Sequence, residues 1–214
     1  MDGTPLKQVT SIKFLGVIIN NKLTWDDHKN LVHSKISKTL GILYKCRNIM
    51  NYDENIKMYK TFIQPYFLYA MEVWGHTIKS DKDILVKLQS KVLRILFNCY
   101  RTADAWRYCN GHITDIRSLY KSVIKKLYMK NHFNILPSNF CNNTMPQNNF
   151  TKLGNRISHI SLNQMYDYAT TKNEYISHFK ANCIHLWNSM PFDIKVLPYL
   201  SGKDSMHKAI KLIT

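Results

Sequence analysis

Asp26-Asp27 is the sole run of two aspartates in the sequence, and adjacent aspartates are the residue type that holds Mg²⁺ where phosphoryl groups are transferred. A metal-holding pair, however, sits on a hairpin between apolar strands and needs a further carboxylate from another strand. Here the run Thr24-Trp25-Asp26-Asp27 reads instead as a capping box. Thr24 would accept from first-turn amides and Asp27 would reach back, with both acids at the positive end of the helix dipole. The nine histidines have neither metal-type spacing nor a nucleophile-elbow pattern around them. The five cysteines, Cys46, Cys99, Cys109, Cys141 and Cys183, are scattered without the short paired spacings of a disulfide framework or a zinc site. Seven dispersed glycines make no phosphate loop. The chain is expected to carry no catalytic residue, no metal and no cofactor of its own.

The chemistry that remains is cationic. Thirty Lys and Arg face fourteen Asp and Glu, a formal net charge of +16, and such a surface attracts a polyanion through its phosphates whatever their sequence. The cations fall in register. Lys35, Lys38 and Lys45 lie opposite the apolar series Val32, Ile36, Leu40 and Leu43. Lys87, Lys91 and Arg94 lie opposite Leu85, Leu88, Val92 and Ile95, while Arg117, Lys121 and Lys125 flank Ile116, Leu119, Tyr120, Val123 and Leu127. Tyrosines beside lysines, as at Tyr44-Lys45, Tyr59-Lys60 and Tyr120-Lys121, are a pattern that can stack bases, although their helical spacing favours the core for most of them.

These series imply the elements that carry them. Ser11 to Asn20 is rich in β-branched and apolar residues and runs into Asn20-Asn21, the pattern of a strand and a turn, interrupted by Gly16. A first helix follows Thr24. A second opens at Asn51 with Glu54 and continues towards Trp74, with a kink or break expected near Gln64 because Pro65 removes a hydrogen bond. Ser80 with Asp83 opens a third, and Thr114 or Asp115 a fourth. The polar, proline-bearing tract after Pro137 reads as a linker; beyond it Arg156 to Leu162 alternates like a strand, Tyr175 to Asn188 reads as a short helix, and His207 to Ile213 is amphipathic. With no signal-like N-terminus and no apolar run of membrane-spanning length, the expected setting is intracellular, cytoplasmic or nuclear, without a membrane partner.

The segments Phe14-Leu15-Gly16-Val17-Ile18-Ile19 and Leu23-Thr24-Trp25-Asp26-Asp27-His28 resemble the region that follows the catalytic palm in non-LTR (LINE-type, jockey- and CR1-like) retrotransposon reverse transcriptases. Gly41-Ile42-Leu43-Tyr44-Lys45-Cys46-Arg47 is similar to the first thumb helix of that family. Ile63-Gln64-Pro65-Tyr66-Phe67-Leu68-Tyr69 with Glu72-Val73-Trp74-Gly75 is similar to its proline-containing second helix, and Leu88 to Ile95 to the basic helix that comes next. Leu186-Trp187-Asn188-Ser189-Met190-Pro191 resembles its C-terminal tryptophan-asparagine-proline motif, with methionine where leucine is common. The resemblance implies that Phe14, Leu15 and Gly16 form a primer-grip hairpin and that the helices after them form a thumb. It implies template–primer RNA/DNA as the partner, together with fingers and palm domains in cis whose aspartates would hold Mg²⁺. Those domains lie outside this sequence, so by itself the chain is not expected to polymerise DNA.

The expected fold is mainly α: a primer-grip-like β-hairpin over residues 1–23, a thumb-like basic helical bundle over 24–136, a polar linker over 137–152 and a small mixed C-terminal segment over 153–214. The expected function is nucleic-acid binding through the phosphate backbone by a post-catalytic piece of an RNA-directed DNA polymerase. Two other readings stand beside it: a helical module whose basic faces meet an acidic protein, and a non-functional relic of a mobile element. An apolar hairpin without its palm also predicts an isolated chain prone to aggregate.

Overall fold

The computed structural model describes residues 8–100, 105–132 and 189. The chain divides into two compact units, Met1–Tyr120 and Lys121–Thr214. The first holds all the described elements except the later turns of the last helix. As expected, the described chain is mainly α, with one two-stranded antiparallel hairpin ahead of the helices. The linker over 137–152, the strand over 156–162 and the C-terminal helix and motif, Ser189 apart, fall outside the described residues.

β1 (Ser11–Phe14) pairs with β2 (Val17–Asn20) in the register Ser11 to Asn20, Ile12 to Ile19, Lys13 to Ile18 and Phe14 to Val17. The stretch read from its pattern as one strand thus folds back on itself. Leu15 and Gly16 both have positive φ, 45° and 82°, which is the two-residue turn whose twist matches the strands it joins. Gly16 supplies that conformation at no steric cost, and it explains the interruption.

α1 (Asp26–Cys46) starts differently from the expected capping box. Trp25, not Thr24, is its N-cap, in left-handed conformation and without a side-chain cap bond. The Asn20 amide takes over the local polar groups: Asn20 Nδ2 donates to Thr24 Oγ1 (2.8 Å) and Asp27 Oδ2 (3.5 Å), and Asn20 Oδ1 accepts from the Thr24 N–H (3.0 Å). This ties the end of the hairpin to the helix start and turns the Trp25 ring inward, where it is buried. Val32, Ile36, Leu40 and Leu43 face the core, as their spacing requires.

The second helical stretch bears out its capping box, with Asn51 Oδ1 accepting from the Glu54 N–H (3.0 Å) and Glu54 Oε2 accepting from the Asn51 N–H (2.8 Å). It is not continuous. α2 (Tyr52–Met58) widens into a π turn over Tyr59–Ile63, in which the Gln64 N–H reaches back to the Tyr59 carbonyl. α3 (Gln64–Leu68) then begins with Pro65 in its first turn, where a missing N–H costs least. The expected break near Gln64 is therefore a change of hydrogen-bond register. A second break comes at Tyr69, extended, and Ala70, left-handed, before α4 (Met71–Trp74) and a 3₁₀ turn over Gly75–Thr77. The Trp74 indole donates to the Tyr69 carbonyl (2.9 Å), satisfying an acceptor freed by that break.

α5 (Ile84–Leu96) is capped by Asp83, whose carboxylate accepts from the Leu85 N–H (2.9 Å); the cap expected at Ser80 lies three residues too early. After a 3₁₀ turn over Ala105–Cys109, α6 (Ile116–His132) is preceded by Asp115, whose carboxylate accepts from the Arg117 N–H (3.1 Å). α1 and α5 pack side by side and run parallel. Near their starts, Lys29 Nζ meets Asp83 Oδ2 (3.1 Å) with both side chains largely buried. At the other end Arg47, the C-cap of α1, shares a groove with Lys91 and Arg94. Gln89, fully buried on α5, joins three elements: its amide donates to Tyr59 Oη (2.7 Å) and the Thr114 carbonyl (2.9 Å) and accepts from the Ile116 N–H (2.9 Å). A buried amide satisfied this fully fixes how the elements meet.

Candidate nucleic-acid interface

Lys87 and Lys91 are exposed and Arg94 half-buried on α5, while Leu85, Leu88, Gln89, Val92, Leu93 and Leu96 are buried. The three cations occupy one narrow sector opposite the core, since steps of four and three residues nearly complete a helical turn. On α1, Lys35, Lys38 and Lys45 are likewise exposed, and Lys35 Nζ stands 5.9 Å from the centre of the Tyr66 ring. Lys38 and Lys45 lie opposite the buried stripe, while Lys35 lies on its flank.

Arg117 is placed differently. It sits between two carboxylates, Asp81 (2.9 Å) and Asp115 (3.1 Å), which raise its pKa, chiefly through the hydrogen bond to Asp115. Its charge is locally matched, whereas its helical successors Lys121 (exposed) and Lys125 (half-buried) belong to the second unit.

The hairpin tip presents the other group of expected residues. Phe14 is 60% exposed and Leu15 76%, with Ile12 beside them at 55%. Gly16 lies against Tyr69: the Tyr69 hydroxyl donates to the Leu15 carbonyl, and a Cβ on Gly16 would stand 3.3 Å from the Tyr69 Oη. Along β2 the Ile18 N–H points to His28 Nδ1 (3.4 Å), and the His28 ring packs edge-on against Trp74 (5.3 Å). Burial, and secondarily Lys35, lowers the His28 pKa, so the ring is neutral with its proton on Nε2. The hairpin is thus held from two sides, at its turn by α3's end and along β2 by α1.

Two residues of this surface were not among those expected. Arg47 ends the stripe Ile36, Leu40, Leu43 and so points along the core side of α1; its guanidinium lies 3.9 Å from the centre of the Tyr44 ring. With Lys91, Arg94, Ile95 and Cys99 it lines an open groove of about 470 Å³. Spacing of four, three and four residues from Ile36 would have put Arg47 on that face; nothing local marks Cys99. The acids Asp26 and Asp27 take part in surface contacts, to Lys29 (3.8 Å) and Asn20 (3.5 Å). Among the described residues no group of three or more His, Cys, Asp or Glu is placed to hold a metal, and no helix is long and apolar enough to cross a membrane.

The described chain is mainly helical, and its sequence relatives are RNA-directed DNA polymerases. The chain is 30% identical over 135 residues to the RNA-directed DNA polymerase from mobile element jockey of Drosophila funebris, a match covering 60% of this chain and 14% of that protein. It is 24% identical over 103 residues to the probable RNA-directed DNA polymerase from transposon X-element of Drosophila melanogaster, covering 46% of this chain and 11% of the relative. The probable polymerase from transposon BS of the same organism matches at 24% over 102 residues, 46% of this chain and 11% of that protein. No family model matches, and no solved structure matches. Over part of its length the chain is homologous to the non-LTR retrotransposon polymerases of the jockey, X-element and BS type, and the match spans 14% or less of those proteins.

Proposed function

We propose that this chain is the thumb-like part of a retrotransposon RNA-directed DNA polymerase and binds template–primer nucleic acid through its phosphate backbone. The observation that carries the proposal is the stripe Lys87, Lys91 and Arg94, which α5 turns away from a fully apolar-and-glutamine core face. Cations aligned on a helix track a phosphate backbone without reading bases, as a polymerase must when it moves along any sequence. Lys35, Lys38 and Lys45 on α1 and Lys121 and Lys125 on α6 extend the same chemistry.

In this reading Phe14, Leu15 and Gly16 act as a primer grip, and Ile12 and Phe14 pack on palm and fingers domains supplied in cis. Mg²⁺ and the polymerising aspartates belong to those domains, so the chain alone is inactive. The test is binding of the purified chain to a labelled RNA–DNA primer–template across a salt series, beside the variant K87Q/K91Q/R94Q. Affinity that falls with salt, with a shallower slope in the variant, supports the proposal. Absence of binding at low salt, or tighter binding to an acidic polypeptide than to the hybrid, would sink it.

A further inference from the structure

The groove at the joint C-terminal ends of α1 and α5 has an unusual lining. Three cations converge on it, Arg47 from α1 and Lys91 and Arg94 from α5; among the described residues the remaining walls are Ile95 and Cys99, and none of those residues is a carboxylate. Of the α5 cations Arg94 stands in the last turn, where C-terminal carbonyls favour positive charge. That does not account for Arg47. Its guanidinium is pinned over the Tyr44 ring, 3.9 Å from the centre, and its Nε is buried without a hydrogen-bond partner among the described residues. A buried N–H donor on a charged group is costly unless an acceptor arrives to meet it. Cys99 adds no competing charge, since its thiol donates to the Phe97 carbonyl (3.5 Å) and burial raises its pKa.

From this geometry we infer that the groove is a seat for one backbone phosphodiester of a bound nucleic-acid strand, with Arg47 as its anchoring donor and Lys91 and Arg94 closing on the same phosphate. A phosphodiester offers two charged oxygens, which suits the planar fork of an arginine fixed by stacking and two flexible cations around it. Tyr44 is the positioning residue, because it holds the guanidinium plane. The inference rests on the nucleic-acid reading above and adds to it a built site within an otherwise diffuse basic surface.

The two ideas are separable by substitutions that keep the charge. Binding of the full chain to an RNA–DNA hybrid is measured over a salt series for wild type, R47K, R47Q, R47Q/K91Q/R94Q and K87Q, with melting curves to confirm that each variant is folded. A single seated phosphate predicts that R47K, which keeps the charge but loses the fork, weakens binding several-fold. R47Q should lower the salt slope by about one, and the triple variant should lower it little further, because all three residues meet one phosphate. K87Q, outside the groove, should add its own loss to theirs.

If wild type binds but R47K matches it, or the losses add charge by charge, the groove is no site and only the diffuse basic surface stands. If wild type fails to bind the hybrid, the nucleic-acid reading falls, and the phosphodiester falls with it. Inorganic phosphate that then raised the melting temperature of wild type but not of R47K would assign the groove to a free anion instead.

Discussion

His28 shows how one side chain can make the hairpin's hold on the bundle depend on pH. It is 2% exposed, packs against Trp74 and takes the Ile18 N–H on Nδ1, an arrangement open only to the neutral ring. Its pKa in the folded chain lies below the ordinary value of 6.5, so the unfolded chain takes up a proton first. The stability due to neutral His28 is therefore complete above about 6.5 and is lost as pH falls through the folded value. Melting temperatures at neutral pH and near pH 5 should show a drop in wild type that is smaller in H28N, which keeps an acceptor but does not titrate. An equal drop in both would remove His28 from the account. Gly75 makes a second residue-scale case: a Cβ there would stand 2.5 Å from the Tyr120 ring. G75A should destabilise the chain by ~1–3 kcal/mol in urea unfolding, and Y120A should relieve part of that cost. Neither site is legible in the sequence. A histidine near a helix start reads equally as a surface or a partly buried residue, and a glycine after a tryptophan carries no sign of what packs on it.

At the scale of elements, what could be read depended on how local the cause was. The Asn51–Glu54 cap was legible because both partners lie within four residues and compete with nothing else. The cap at Thr24 has the same form in sequence and fails, because Asn20 in the preceding strand captures Thr24 and Asp27 first. Apolar periodicity placed the helices and set Lys87, Lys91 and Arg94 opposite the core face of α5. It could not place Gln89 in the core, since its partners are Tyr59, Thr114 and Ile116 on other elements. Arg47 escaped for a related reason: an arginine following an apolar stripe reads as a helix-end cation until α5 is laid beside it.

Asp83 ties two helices together, since it caps α5 and takes Lys29 from α1. D83A removes a cap and strands a largely buried ammonium, so it should cost ~3 kcal/mol or more. K29M leaves the cap intact and should cost clearly less. In a double-mutant cycle the pair should show coupling on the order of 1 kcal/mol, and strict additivity would mean that the ion pair contributes nothing to joining the helices.

Taken as a whole molecule, the chain has a well-formed core beside an unfinished edge. All four residues of β1 are exposed, and Ile12, Phe14 and Leu15 make an apolar rim on a strand whose outer side pairs with nothing among the described residues. A two-stranded hairpin with such a rim is a template for another strand or another chain. The curated relatives extend far beyond this chain, which spans 14% or less of their length, so there is room in such proteins for a domain to cover that rim. The expected consequence is a chain whose hairpin promotes association. Light scattering of the purified chain should show concentration-dependent assembly, and I12K/F14S should suppress it while leaving the melting temperature nearly unchanged, because neither side chain belongs to the buried core. If the variant melted far lower, the hairpin would instead be a structural part of the bundle; if wild type stayed monomeric at high concentration, the rim would need no covering domain at all.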